Sequence, residues 1–199
     1  MTRIILFFLF TLAHCRGFSQ LTSNLPIVII NTLGSPINDE PGVVVDFKII
    51  NNVNGTNVST DIPNEYNGKA KAEYRGCSSQ AFPKKSFGIE LRDPDNTSED
   101  ISSSLFGFPE ESDWVLNASY TDKTFMREIL GFELARSTGR YASRTLHVEL
   151  LLDGQYQGVY VFQEKIKRDS ERVPIKKLEP TDTDLSDITG GYILKIDKS

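Results

Sequence analysis

The chain has 199 residues, 39% of them hydrophobic, which suits one globular domain with its own core and argues against a fibrous or disordered protein. A net charge of -5 at pH 7 argues against a general nucleic-acid binder, whose footprint is a basic surface. The first element is a targeting segment: Arg3 supplies a positive start, Ile4 to Ala13 an apolar run, and Gly17 to Gln20 a small-residue exit, so residues 1–19 are expected to be a signal peptide cut near Ser19 or Gln20. That run of about ten residues is too short for a spanning helix, which needs roughly 20, and no later segment is long enough to insert stably in a membrane. Cys15 follows His14, which is bulky where an acylation site wants a small residue, so lipidation is not expected.

Loss of this segment removes Arg3 and Arg16 but no acid, moving the net charge from -5 to -7, and leaves Cys77 and His147 alone of their types. An internal disulfide, a His-based triad and a His-rich zinc site are then all disfavoured. Sequons at Asn54, Asn57, Asn96 and Asn117 are chemically open to glycans.

Leu25 to Ile30 and Val43 to Ile50 are β-branched runs and predict strands, the first of them central. Residues 51–67, rich in Asn, Gly and Thr, predict a loop or an irregular hairpin. Alternation from Lys69 to Tyr74 predicts a strand that enters the tight polar turn Gly76-Cys77-Ser78-Ser79. After Pro83, residues 85–92 alternate again with Phe87, Ile89 and Leu91 on one face, and Lys84 and Lys85 stand at the mouth of this strand. Pro94 to Ser104 is a polar insertion, and Trp114-Val115-Leu116 returns to the interior.

One helix is predicted from the cap Asp122 to about Thr138, with Gly139 as its stop. Phe125, Met126, Ile129, Leu130, Phe132 and Leu134 cover most of its wheel, which predicts burial on several sides. Glu133 falls inside that apolar arc and so needs a partner. A hairpin follows, with Leu146 to Leu152 and Gln155 to Phe162 flanking the type I′ pair Asp153-Gly154. Counting from that turn places His147, Glu149 and Leu151 on the face of Tyr156, Gly158, Tyr160 and Phe162. A charged connection from Lys167 to Asp187 leads to a last strand, expected from Gly190 to Ile196.

Strand, polar turn, lysine-bearing strand, acid-bearing helix and hairpin follow one another as in the small lobe of a protein kinase, where a strand lysine contacts phosphate and a helix acid holds it. Taken alone, each feature has a plainer explanation: a solvated strand end for the lysines, a surface pair for Glu128 or Glu133, core packing for the hairpin aromatics.

The segment Arg75-Gly76-Cys77-Ser78-Ser79-Gln80-Ala81-Phe82-Pro83-Lys84-Lys85-Ser86-Phe87 resembles the signature of the spore-coat protein H (CotH) kinase family, in which Arg-Gly-x-Ser precedes Phe-Pro-Lys-Lys-Ser. Asp113 to Leu116, Asp122 to Gly139, Val148 to Lys167 and Gly190 to Leu194 continue the likeness, which spans roughly residues 70–199. Cys77 departs from the polar residue many members carry, and Glu128 from their usual Asn.

The resemblance implies an α+β fold, an antiparallel sheet with a packed helix like the N-lobe of an atypical protein kinase, with the C-lobe largely missing. Residues 20–67 would form an N-terminal strand region or linker, and residues 68–199 the incomplete kinase-like domain. It also implies ATP with Mg²⁺ or Mn²⁺ as cofactors and a Ser-rich secreted or coat protein as substrate, in a secreted or cell-envelope setting. Carried over by position, Lys84 or Lys85 holds phosphate, Arg75, Ser78, Ser79 and Arg127 support it, Glu128 or Glu133 is the helix acid, and Glu164 lies at the hinge. Catalytic and metal-binding acids are expected beyond Ser199, so the fragment by itself is expected to be inactive. Two other classes compete: a non-catalytic envelope or adhesion scaffold of the same fold, and a β-rich carbohydrate-binding domain that leaves the helix and the lysine strand unexplained.

Overall fold

Among residues 20–194, which the computed structural model describes, the alternating runs form strands that close on themselves. The expected signal segment, Cys15 and the last residues of the expected final strand lie outside the described residues. The strands are β1 (Thr22–Ser23), β2 (Ile27–Asn31), β3 (Val43–Ile50), β4 (Asn57–Val58), β5 (Tyr66–Arg75), β6 (Ser86–Arg92), β7 (Asp113–Asn117), β8 (Thr145–Leu152) and β9 (Gln155–Glu164), and one helix of several turns, α1 (Arg127–Ser137), joins β7 to β8.

Seven strands make a closed barrel in the order β2-β3-β5-β6-β7-β9-β8. Its neighbours are antiparallel except at the closure, where β2 lies parallel to β8 with Ile27 opposite Glu149 and Ile30 opposite Leu152. Closure leaves these strands no free edge. β2 and β3 are therefore integral to the same barrel as the later strands, and the short pair β1 and β4 lies beside it.

Every second residue points inward, as the two-residue period of a strand requires. Val28, Ile30, Val45, Phe47, Ile49, Ala70, Ala72, Phe87, Ile89, Leu91, Trp114, Leu116, Val148, Leu150, Tyr160 and Phe162 fill the interior, each nearly inaccessible to water. Each large apolar side chain so placed stabilises the fold by about 1.5–3 kcal/mol.

Several expectations need correction. The α+β kinase N-lobe with a packed helix is replaced by a mostly β closed barrel, because β2 returns to pair with β8. α1 has no buried residue, and Met126, Leu130 and Leu134 are 41%, 50% and 67% exposed. The wide apolar arc thus marks one face turned toward β8 and another turned to solvent, with no second layer over it among the described residues. Gly190 to Leu194 carry no strand.

A further correction concerns the hairpin register. Asp153 and Gly154 both have positive φ, as the type I′ turn demands. Two residues later the ladder shifts: Leu151 faces Tyr156, yet Leu150 faces Gly158, so Gln157 is an extra residue and the strand bulges. The slip reverses the faces, placing Tyr160 and Phe162 with Val148 and Leu146 in the core, while Tyr156 stays with Glu149.

Candidate functional site

At the end of β5 the backbone turns at Gly76, whose φ is +107°, a conformation L-residues rarely adopt. A Cβ there would come within 1.9 Å of the Ser79 hydroxyl, so glycine is what lets Ser79 fold under the turn. The turn is a short 3₁₀ segment, Ser78–Ala81, tied by Gln80 Nε2 donating to the Gly76 carbonyl at 2.6 Å. Lys85 Nζ donates to the Gln80 carbonyl and completes this tie.

Lys84 goes the other way. Its ammonium donates to the Val159 carbonyl and lies over the rings of Tyr160, at 4.2 Å, and Phe125, at 4.7 Å. Burial brings its amine down to about 8, the charge of Glu149 opposing that fall and the charge of Lys123 adding to it. Phe125 is held in place by a 2.9 Å hydrogen bond between its carbonyl and His147 Nε2, which is the donor.

β6 and β7 supply the floor. Ser86 Oγ donates to Asn117 Oδ1 at 3.1 Å and accepts the Ala118 N–H at 3.0 Å. Asn117 Nδ2 donates to Glu128 Oε2, and Ser119 Oγ donates to the same oxygen at 3.4 Å. Burial raises the Glu128 carboxyl above its usual range, opposed by these donors and by the charge of Arg75. Asp122 caps the approach to α1, accepting Thr124 Oγ1 at 2.7 Å and the Arg127 N–H at 2.9 Å.

These groups surround a cavity of about 230 Å³, lined by Ser79, Phe82, Lys84, Ser86, Asn117, Ser119, Tyr120, Asp122, Arg127 and Glu128 among others. Phe82 and Tyr120 stack at 5.0 Å on its rim. On the far side of Arg127 and Glu128 lies a larger hollow of about 580 Å³, walled by Phe132, Ala135, Tyr141, Ile166 and Val173, which has apolar walls and no lysine.

Of the residues singled out in the sequence, Ser79, Lys84, Arg127 and Glu128 meet in the polar cavity. Arg75 and Ser78 are exposed and do not line it. Lys85 braces the turn. Glu133 is exposed and pairs with Arg136 on its own helix, because its flank of α1 faces water. Glu164 is fully buried and accepts from Arg144 Nη1 at 2.8 Å and the Arg144 N–H at 2.9 Å, with Arg172 Nε 3.9 Å away, so it serves an internal charge cluster. Ser86, Asn117 and Ser119 also line the cavity, and the sequence marks only Asn117 among them, as a sequon. Its amide nitrogen is occupied by Glu128, and that of buried Asn57 by the Leu25 carbonyl at 2.9 Å.

The family described as CotH kinase protein matches residues 72–199, a stretch that holds the polar turn, Lys84, the cavity floor and α1. The chain belongs to the CotH kinase family. No curated protein matches it. The match to the CotH family begins within β5, after β2 and β3, so part of the barrel is built by residues that precede the matched region.

Proposed function

We propose that this CotH-type, kinase-like protein holds the phosphate tail of ATP in the polar cavity, and that the intact protein transfers the γ-phosphoryl group to seryl hydroxyls of Ser-rich secreted or coat proteins after export to an extracytoplasmic site. One observation carries the proposal: Lys84 and Arg127 converge on the cavity with the hydroxyl-bearing Ser79, Ser86 and Ser119. Phosphoryl transfer gathers negative charge on the phosphate oxygens, and fixed cations and hydroxyl donors lower its barrier by being in place beforehand. The donor set suits a phosphate chain. A divalent ion bound with ATP would supply further neutralisation of the β- and γ-oxygens. Among the described residues no group of three or more His, Cys, Asp or Glu side chains is gathered as a metal site, so no protein ligand is assigned to that ion.

The test is transfer from radiolabelled ATP to Ser-rich peptides by the full-length protein. Lys84→Met is expected to lower the rate about 100-fold, and Lys85→Met to leave it within a few-fold of wild type. Full activity in Lys84→Met would remove the phosphate ligand from the proposal. A second reading, a non-catalytic envelope or adhesion scaffold, is favoured by one observation: the Lys84 ammonium already has a carbonyl and two ring faces as partners. Saturable ATP binding without transfer in the wild-type protein would decide for it.

A further inference from the structure

We propose that Phe125, in the turn before α1, is a latch on the phosphate site: its ring holds the Lys84 ammonium away from the polar cavity, and a phosphate ligand must displace that ring to engage the lysine. This rests on the reading of Lys84 as a phosphate ligand and names the residue that controls access to it. An ammonium has three N–H donors and no acceptor. In Lys84 it meets three partners: the Val159 carbonyl, the Tyr160 ring at 4.2 Å and the Phe125 ring at 4.7 Å. Lys84 lines the cavity, yet none of these three partners does. The group that would bind phosphate is thus drawn toward residues outside the place where phosphate would sit.

Two of the three partners are fixed. Val159 belongs to β9, just beyond Val161, where the ladder with β7 ends, and Tyr160 is 1% exposed in the barrel core with its ring 6.1 Å from that of Phe87. Phe125 is different. It is half-buried, its φ is +56°, and α1, which follows it, buries none of its residues. A bulky residue is rare at positive φ, and such strain persists only where surrounding contacts hold it. The hydrogen bond from His147 Nε2 to its carbonyl ties Phe125 to β8. The ammonium adds to this hold, since cation–π attraction strengthens where water is partly excluded. Phe125 is therefore the partner that can give way, and the strain in its backbone is released when it does. A site whose competent state is only partly populated binds with an affinity lowered by that fraction.

The test is calorimetric titration of inorganic tripolyphosphate into the full chain. Phe125→Ala is expected to bind about tenfold tighter than wild type, and His147→Ala, which unties the carbonyl and keeps the ring, to move in the same direction by about threefold. A ring that only packed the turn would, on removal, loosen the site and weaken binding. The gain runs through Lys84, so Phe125→Ala combined with Lys84→Met is expected to bind no tighter than Lys84→Met alone. Equal or weaker binding by Phe125→Ala overturns the latch, as does a gain that survives in the Lys84→Met background. If Phe125→Ala does not fold, Phe125→Gly, which suits the positive φ, takes its place with the same expected gain and the same overturning result. The single variant Lys84→Met separates the two proposals. Weaker binding there, without a gain on removal of the Phe125 ring, removes the latch and leaves the phosphate role. Binding by Lys84→Met as tight as that of wild type removes the phosphate role and the latch with it, and no binding by any variant does the same.

Discussion

Glu128 carries a carboxylate into a half-buried position where its hydrogen-bond partners, Asn117 and Ser119, are neutral. Burial holds its carboxyl above the usual range in the folded state, so the native protein keeps that proton to higher pH than the unfolded chain does. Stability is then lost as pH rises through the interval between the unfolded and folded values. Glu128→Gln is expected to stabilise the protein at pH 7 by about 0.5 kcal/mol after allowance for solvent screening, and to lose that advantage below about pH 4. Urea unfolding at the two pH values checks this, and a destabilised variant at pH 7 would mean that the hydrogen bonds outweigh the cost of burial. At this scale the motif pointed to the cavity but could not choose between neighbours. Lys84 and Lys85 are adjacent, so an extended backbone sends them to opposite sides, and only the fold shows that Lys84 meets Val159 while Lys85 returns to Gln80. Glu128 and Glu133 part in the same way, one onto the cavity and the other into solvent.

The hairpin of β8 and β9 was legible as an element, since Asp153-Gly154 specified its turn. Its faces were not, because one inserted residue, Gln157, reverses every side chain beyond it. The available signal was Gly158, a glycine inside a strand of otherwise large side chains. Gly158→Ala is expected to cost about 1–3 kcal/mol, through backbone strain at φ +92° and not through a clash, since the nearest neighbour of the added carbon is Lys84 Nζ at 3.7 Å. In α1, Gly131→Ala meets nothing within 4 Å and is expected to stabilise by about 0.5–1 kcal/mol. Urea midpoints of the two variants should move in opposite directions, and a neutral Gly158→Ala would show that the bulge relaxes. The helix itself was legible by its stop at Gly139, whereas it starts later than its cap signal at Asp122 implies. Asp122 caps the turn that precedes it, and the helical residues begin at Arg127.

Strand runs, and the inward face of β6 with Phe87, Ile89 and Leu91, could be read from alternation, but closure of the barrel could not. It depends on β2 meeting β8 in parallel, a pairing between Ile27 and Glu149 that no local pattern encodes. Removing β2 and β3 would take away two of the seven barrel strands and expose the edges of β5 and β8. A chain starting at Gly68 is therefore expected to lack the near-ultraviolet signal of a packed core, and a cooperative unfolding transition in it would contradict the barrel's dependence on its first strands. The functional account depends in turn on that closure, since the strand that brings the Val159 carbonyl to Lys84 belongs to the same barrel. Calorimetric titration of ATP into the wild-type protein and its Lys84→Met and Lys85→Met variants tests the central claim most directly. Saturable binding that weakens at least about tenfold in Lys84→Met, and stays near wild type in Lys85→Met, is the result predicted. Equal binding by Lys84→Met and wild type, or no binding by any of the three, would contradict it.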